Sequence, residues 1–142
     1  LSIVPTMLVT GIIWGLWHAP VVALGHNYGT GYPGEPFGGI AAMCAWCTVL
    51  AVFLSYVTIR TGSTFAAAIG HGAVNGTTNG VTLFSLSGGN PFVGPLCTGI
   101  VGGLPLLVVA AIMLWDMRRR EKAGTLRMPE AGLPDGVRRT RR

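Results

Sequence analysis

The sequence predicts an all-α membrane protein, a polytopic bundle of about four transmembrane helices followed by a basic tail. Hydropathy and charge carry this prediction. The mean hydropathy is positive, and charged residues make up only 11% of the chain, whereas soluble domains carry about a quarter. Before Asp116, the formally charged side chains are Glu35 and Arg60 alone. Because an ionised group in the bilayer core costs a few kcal/mol, so long an uncharged stretch is typical of a membrane-embedded chain.

Four apolar segments are long enough to cross a hydrocarbon core of roughly 30 Å, which takes about 20 helical residues. They run from about residue 3 to 24, 38 to 59, 64 to 86 and 92 to 115. Helices are predicted because backbone groups in lipid must be satisfied internally, and the segments lack the alternation of a membrane barrel. Turn-forming stretches separate the segments, and Ser63 or Thr64 is expected to cap the third helix. The predicted transmembrane bundle therefore comprises residues 1–116.

Basic residues predict the orientation of the bundle. Nine of the ten Lys and Arg follow Trp115, including the cluster Arg118–Arg120, and such positive flanks stay in the cytoplasm. Residues 117–142 are thus predicted to be a disordered cytoplasmic tail of a multi-pass plasma-membrane protein. The Gly/Ala/Arg-rich composition favours a bacterial source. Because the net charge of +5 sits in a membrane flank, we expect membrane lipids, and not nucleic acid, as a partner.

Two cysteines of the second segment, Cys44 and Cys47, form a CxxC pair. In a soluble protein this spacing would suggest redox chemistry or metal binding. Here the pair lies in an apolar segment, so we interpret both residues as small hydrophobic side chains of the core.

Polar side chains recur along one face of the third predicted helix. His71, Asn75 and Asn79 are spaced by four residues, so they share a face. An imidazole and carboxamides at this depth must face the bundle or a wet cavity rather than lipid. The adjacent face carries glycines at the same spacing, which predicts close packing against another helix. These glycines are Gly72, Gly76 and Gly80.

A second imidazole lies in the first predicted helix. His18 shares a face with Trp14, and Pro20 is expected to kink the helix near His18. At 1.5 Å per residue, His18 lies roughly 20 Å from the cytoplasmic start of its span, and His71 roughly 10 Å from the start of its own. Tilt or the kink must absorb this difference of about 10 Å if the two rings are to meet.

Two imidazoles and a carboxamide allow two kinds of chemistry. His18 and His71 are candidate ligands of a divalent metal such as zinc, although a catalytic zinc normally has three protein ligands and the chain has no HExxH motif. Alternatively, His71 and Asn75 donate hydrogen bonds to an oxyanion while His18 orients a water molecule or donates a proton. The base of such a hydrolysis is missing, because Glu35 lies in an outer loop and Asp116 at the membrane edge.

Non-enzymatic interpretations stay open beside these. Polar residues that only pack helices would suit a membrane scaffold or an immunity protein. In such a protein, positions 18 and 71 would be distant from each other and would not line a common water-accessible pocket. A glycine-broken third span would also suit the discontinuous helix of a transporter. That interpretation predicts ligand-dependent substrate movement, but the second half of the chain does not repeat the first.

The two polar motifs resemble those of the CPBP intramembrane proteases, which include the type II CAAX prenyl endopeptidases and bacteriocin-processing proteins. Trp14-x-x-x-His18, within GIIWGLWHAP, is similar to the F-x-x-x-H motif of that family. His71-x-x-x-Asn75, within TGSTFAAAIGHGAVNG, is similar to its later H-x-x-x-N motif. The resemblance covers roughly residues 11–86, and the departure from Phe to Trp14 keeps an aromatic ring.

The resemblance implies an intramembrane, metalloprotease-like endopeptidase acting on peptide or prenylated protein substrates. His18 would position the water or bind a metal, and His71 with Asn75 would form the oxyanion pocket. In that family a Glu-Glu-x-x-x-Arg motif precedes the F-x-x-x-H helix, and its first glutamate is taken to activate the water. Because this motif would fall before Leu1, we expect the chain to be the C-terminal part of a protease and to be inactive by itself.

Overall fold

Five helices make up the fold in a computed structural model that describes residues 2–84, 89–94 and 96–126, without the side chains of 79–84. They are α1 (Ile3–Trp17), α2 (Ala19–Ala23), α3 (Phe37–Thr61), α4 (Thr64–Phe84) and α5 (Ile100–Lys122). No strand occurs among the described residues, so the predicted all-α class is confirmed. Helix α3 is the centre of the bundle, because α1, α4 and α5 all pack against it.

Two of these helices, α3 and α5, are long and apolar enough to cross a membrane, judged by length and composition. Helix α1 is apolar but shorter, because the helical path of the first segment is interrupted at His18. The imidazole and carboxamides of α4 lower its hydropathy, and residues 85–86 of the third predicted span lie outside the described part. Large apolar side chains face outward, among them Ile13 (62% exposed) and Ile112 (61%), as a lipid-facing surface requires. The count of four spans stays a prediction.

Helix α1 docks on α3 through two glycines one turn apart. At Gly11 a Cβ would overlap the backbone of Thr48, and at Gly15 it would overlap the backbone of Cys44. Thr48 and Cys44 are also one turn apart, so the Gly-x-x-x-Gly edge of α1 lies directly on the backbone of α3. Cys47, on the same helix, is buried in the core, as expected for a small hydrophobic residue.

The glycine stripe of α4, in contrast, is open where the structure describes it. A Cβ added at Gly72 or Gly76 would meet no described atom within 4 Å, so the predicted close packing is wrong at these two positions. Gly80 lies outside the described side chains. Helix α4 instead approaches α3 at Gly70, where the ring of Phe53 would lie 3.2 Å from an added Cβ. This contact, one residue before His71, fixes which face of α4 turns towards the bundle.

These two glycine environments predict opposite effects of one substitution. Gly15→Ala is expected to destabilise the protein, since overpacking costs typically about 1–3 kcal/mol, more than the roughly 1 kcal/mol that Ala gains over Gly in a helix. Gly76→Ala adds the same methyl group in open space and should be neutral or slightly stabilising. Thermal unfolding of both variants in detergent measures the difference. Equal midpoints for the two variants would contradict the α1–α3 contact.

Helix α5 runs past the predicted span end at residue 115, so residues 117–122 of the predicted disordered tail are helical. Met117 is fully buried in a cluster with Ile3. Glu121, one turn later, accepts the backbone N–H of Ile3 at 2.8 Å. These contacts with α1 recur at helical spacing and therefore stabilise the extension. Gly124, in the left-handed conformation (φ 66°), follows the helix end. Residues 127–142 of the predicted tail lie outside the described part.

The same helix begins at Ile100 rather than near Phe92. The segment before it forms turns, and Asn90 Oδ1 accepts the backbone N–H of Phe92 at 2.9 Å. The ring of Phe92 packs against Tyr28 and Tyr32, with centroid distances of 5.5 and 5.2 Å. These aromatic contacts hold the segment against the loop that precedes α3, so apolar residues there cover the bundle rather than extend α5.

Candidate active site

His18 occupies the break between α1 and α2 that Pro20 predicts. Pro20 lacks the N–H that an uninterrupted helix would donate, and its ring would clash with a carbonyl one turn earlier. The backbone N–H of His18 donates to Gly15 at 3.0 Å, in a tighter turn than an α-helix. The carbonyl oxygen of Trp14, which that N–H would have met in a regular helix, lies 2.9 Å from His18 Nδ1. The helix break thus fixes the orientation of the imidazole.

This hydrogen bond also determines which ring nitrogen of His18 is available for chemistry. A carbonyl oxygen can only accept, so Nδ1 must carry the proton that it donates to Trp14. In the neutral ring, Nε2 then has a free lone pair. That nitrogen can accept a proton from water, hold a water molecule by a hydrogen bond, or bind a metal.

His71 and Asn75 lie one turn apart on α4, on the side that faces α1. The ring of His71 meets the ring of Trp14 edge-on, with centroids 5.2 Å apart and planes at 85°. His71 is therefore level with Trp14 rather than with His18, which lies one turn further along α1. This offset accounts for part of the depth difference of about 10 Å that the sequence predicts, since one turn of helix rises about 5.4 Å.

The three predicted site residues line a single open cavity of about 350 Å³. This volume lies at the lower end of the usual range of small-molecule and cofactor sites, about 300–1,000 Å³. Trp14, Met43 and Trp46 provide apolar walls, and the cavity is faced by His18 from the break between α1 and α2 and by His71 from α4. The full lining is Trp14, Trp17, His18, His26, Asn27, Met43, Trp46, Cys47, Leu50, His71, Val74, Asn75, Thr78 and Thr98.

A third imidazole, His26, also lines this cavity, although no prediction from the sequence included it. Its ring is nearly parallel to that of His18, with centroids 6.5 Å apart and planes at 10°. The turn that holds it is tight, with Gly25 and Asn27 on either side in the left-handed conformation (φ 93° and 66°). All three histidines of the chain thus meet in one cavity. The composition Gly-His-Asn-Tyr-Gly predicts a turn but gives no sign of its direction.

The buried Tyr28 anchors this turn next to the cavity. Its side chain is 3% exposed and packs in a core cluster with Cys47 and Val22. Burial raises the pKa of the Tyr28 hydroxyl above its usual range, so this group stays neutral. The Tyr28 hydroxyl and that of Thr98, which lines the cavity, are buried without a hydrogen-bond partner among the described residues. Thr98 is therefore a polar group of the cavity that sequence reasoning also missed.

Neither of the two carboxylates considered as a base lines the cavity. Glu35 accepts the backbone N–H of Gly31 within its own loop. Asp116 is held at the other end of the bundle, where it accepts hydrogen bonds from Tyr56 at 3.2 Å and Arg120 at 2.8 Å. The described lining contains no Asp or Glu, so it offers donors, acceptors and imidazoles but no carboxylate base.

The residues of the cavity can also be compared with the ligands that the predicted metal ion would need. A catalytic zinc normally has three protein ligands. Across residues 2–84, 89–94 and 96–126, no three His, Cys, Asp or Glu side chains form a group that could hold a metal ion. His18 and His71 could supply at most part of such a site. The metal therefore stays a prediction that requires further ligands, and we derive no reaction step through it.

Comparison with known proteins matches this chain to one family. The family model described as "Type II CAAX prenyl endopeptidase Rce1-like" matches residues 1–77, more than half of the chain. The matched range contains both motifs, Trp14-x-x-x-His18 and His71-x-x-x-Asn75. Neither the curated proteins nor the solved structures searched gave a match. The chain therefore belongs to the type II CAAX prenyl endopeptidase Rce1-like family.

Proposed function

We propose that this chain is the C-terminal part of an intramembrane endopeptidase that hydrolyses peptide bonds of prenylated CAAX-type or other membrane-associated substrates. The family is one of membrane-embedded CAAX proteases. The observation that carries the proposal is the cavity shared by His18, His71 and Asn75. These side chains come from α4 and from the break between α1 and α2, and they surround an open space of the kind that a substrate carbonyl and a water molecule need.

In the proposed mechanism, His71 and Asn75 donate hydrogen bonds to the oxyanion that forms when water attacks the substrate carbonyl. Their spacing of one helical turn places both side chains on one side of that oxygen. His18 holds the attacking water through Nε2, because Nδ1 is engaged by the carbonyl oxygen of Trp14. Each residue therefore has a distinct role, and the three act on one substrate carbonyl.

The base that removes a proton from the water is proposed to be a carboxylate of a Glu-Glu-x-x-x-Arg segment N-terminal to Leu1 in the parent protein. Two observations support this assignment. The described lining contains no Asp or Glu, and the imidazoles of His18 and His71 are already assigned to holding the water and to stabilising the oxyanion. We further propose that the parent is a multi-pass bacterial plasma-membrane protein with a cytoplasmic C-terminus.

A direct comparison of the parent protein with this chain tests the proposal. The full-length protein, reconstituted in vesicles, is expected to cleave a prenylated CAAX peptide, whereas the 142-residue chain alone should release no product. Mass spectrometry of the peptide measures both. Cleavage by the short chain would mean that its own residues supply the base. Failure of the full-length protein on prenylated peptides, with cleavage of unprenylated ones, would contradict the prenyl preference only.

The non-catalytic alternative, a scaffold or immunity protein, is favoured by one observation. The ring of His71 packs on Trp14, and His18 bonds to a carbonyl oxygen, and such contacts also stabilise a helix bundle. This alternative predicts that apolar aromatic side chains of similar shape can replace the histidines without loss of function. The variants considered in the Discussion separate the two possibilities.

A further inference from the structure

Helix α5 has two faces that differ in how their charges are paired. Asp116, Arg120 and Glu121 are engaged with the rest of the bundle or with each other. Arg120 Nε lies 2.8 Å from Asp116 Oδ2, Asp116 also accepts from Tyr56 of α3, and Glu121 accepts from the N-terminus of α1. The acidic groups of this helix are therefore used to join α5 to α1 and α3.

The other face carries cations without such partners. Arg118, Arg119 and Lys122 form no ion pair with any residue of the described ranges. They line a groove of about 560 Å³ on the surface of α5. The guanidinium of Arg119 lies 5.7 Å from the ring centroid of Trp115, within the range of a cation–π contact. Three positive groups thus lie on one face of the helix, and no anion among the described residues neutralises them.

The remaining groove residues are apolar and lie deeper along the helix. Ala111, Leu114 and Trp115 line it together with the three cations. The spacing of these six positions, 111, 114, 115, 118, 119 and 122, follows one face of an α-helix. A ligand on this face would meet cations at the end of the helix and an apolar surface about one to two turns towards the predicted membrane interior. Such an arrangement matches an amphiphile with a negative head and an apolar tail.

We propose that this groove binds the phosphate headgroup of an anionic membrane phospholipid, whose acyl chains cover Ala111, Leu114 and Trp115. Charge argues against residues 127–142 as the occupant, because they carry five arginines against two acidic residues and would be repelled by the groove. A second copy of the chain would present the same unpaired cations to itself. A zwitterionic lipid brings no net charge to offset three cations, so the preference is for an anionic headgroup.

Native mass spectrometry of the purified chain tests this proposal without reference to protease activity. The chain in detergent is titrated with phosphatidylglycerol or with phosphatidylcholine of the same acyl chains, and the bound fraction is measured. The wild type should bind phosphatidylglycerol more tightly. Each cation near a charged membrane surface contributes roughly a fivefold effect, so the double variant Arg118→Gln/Arg119→Gln should weaken phosphatidylglycerol binding by about 30-fold.

Arg120→Gln is the matched control. It removes one positive charge from the same helix, but from the face paired with Asp116, so headgroup preference should stay near that of the wild type. A loss of about fivefold in the control, which is the same loss per charge as in the double variant, would overturn the proposal in favour of a general charge effect. Displacement of the lipid by glycerol phosphate at similar concentration would identify a soluble phosphate site instead. A dimer that disappears in the double variant would assign the groove to a second copy of the chain.

Discussion

Substitution of His71 by alanine in the full-length protein is expected to abolish peptide cleavage. His71 faces the same cavity as His18 and is proposed to donate a hydrogen bond to the oxyanion. Loss of one oxyanion donor slows acyl transfer by about 100- to 1,000-fold, which would bring an intramembrane protease close to the limit of detection. Product formation from a membrane-reconstituted substrate, followed by mass spectrometry, measures the effect. Asn75→Ala, on the same face, should reduce the rate less if His71 remains.

His71→Phe is the informative control for this prediction. The rings of His71 and Trp14 meet edge-on with their centroids 5.2 Å apart. A phenyl ring can keep this contact, but it has no N–H to donate. If the role of His71 is chemical, the phenylalanine variant should fold with near-normal thermal stability and still fail to cleave. Full activity in either the alanine or the phenylalanine variant would overturn the assignment and favour the scaffold interpretation.

Substitution of His18 should cause a loss of similar size for a different reason. Because Nδ1 is bound to the carbonyl oxygen of Trp14 at 2.9 Å, His18→Ala removes both the water-binding Nε2 and a hydrogen bond that holds the helix break. Misplacement of a reacting group can by itself slow a reaction by about 100-fold. The rate of single-turnover cleavage at saturating substrate measures this loss directly.

His18→Asn separates these two contributions. The carboxamide N–H of asparagine, attached like Nδ1 to Cγ, can still donate to Trp14, so the break between α1 and α2 should persist, while the position of Nε2 is left empty. We expect the asparagine variant to have near-normal stability and to stay inactive. Recovery of cleavage in His18→Asn would show that His18 acts only by holding the helix break, and the proposed role in binding the water would fail.

The local part of the site could be predicted well from the sequence. Spacing by four residues places His71 and Asn75 on one side of α4, because a helix repeats every 3.6 residues. Pro20 predicts the break at His18 for the equally local reason that proline cannot donate a helical hydrogen bond. The capping of α4 is also local, and Ser63 Oγ accepts the backbone N–H of Phe65 at 3.2 Å as expected.

Packing between helices was harder to predict, as the glycines demonstrate. Both Gly11-x-x-x-Gly15 and the Gly72 and Gly76 pair have the spacing of a close helix contact, and yet only the first pair contacts another helix in the described part of the chain. The spacing indicates that another helix can approach the glycines without a steric clash. Which helix does so depends on how all the helices of the bundle pack together. The extension of α5 to Lys122 could not be predicted for a similar reason. Hydropathy depends only on residue types, whereas the extension is stabilised by contacts of Met117 and Glu121 with α1.

The sequence by itself determined the apolar helical character of the chain, the helix break at Pro20 and the shared face of His71 and Asn75. These properties depend on residues within one or two turns of each other, where the period of the helix and the chemistry of proline suffice. Only the tertiary structure decided that His18, His26 and His71 face one cavity and that Glu35 and Asp116 lie outside it. It also decided that three cations of α5 have no ion-pair partner within the described part of the chain. Those outcomes depend on how α1, α4 and α5 are placed around α3, which is set by contacts between residues far apart in the chain.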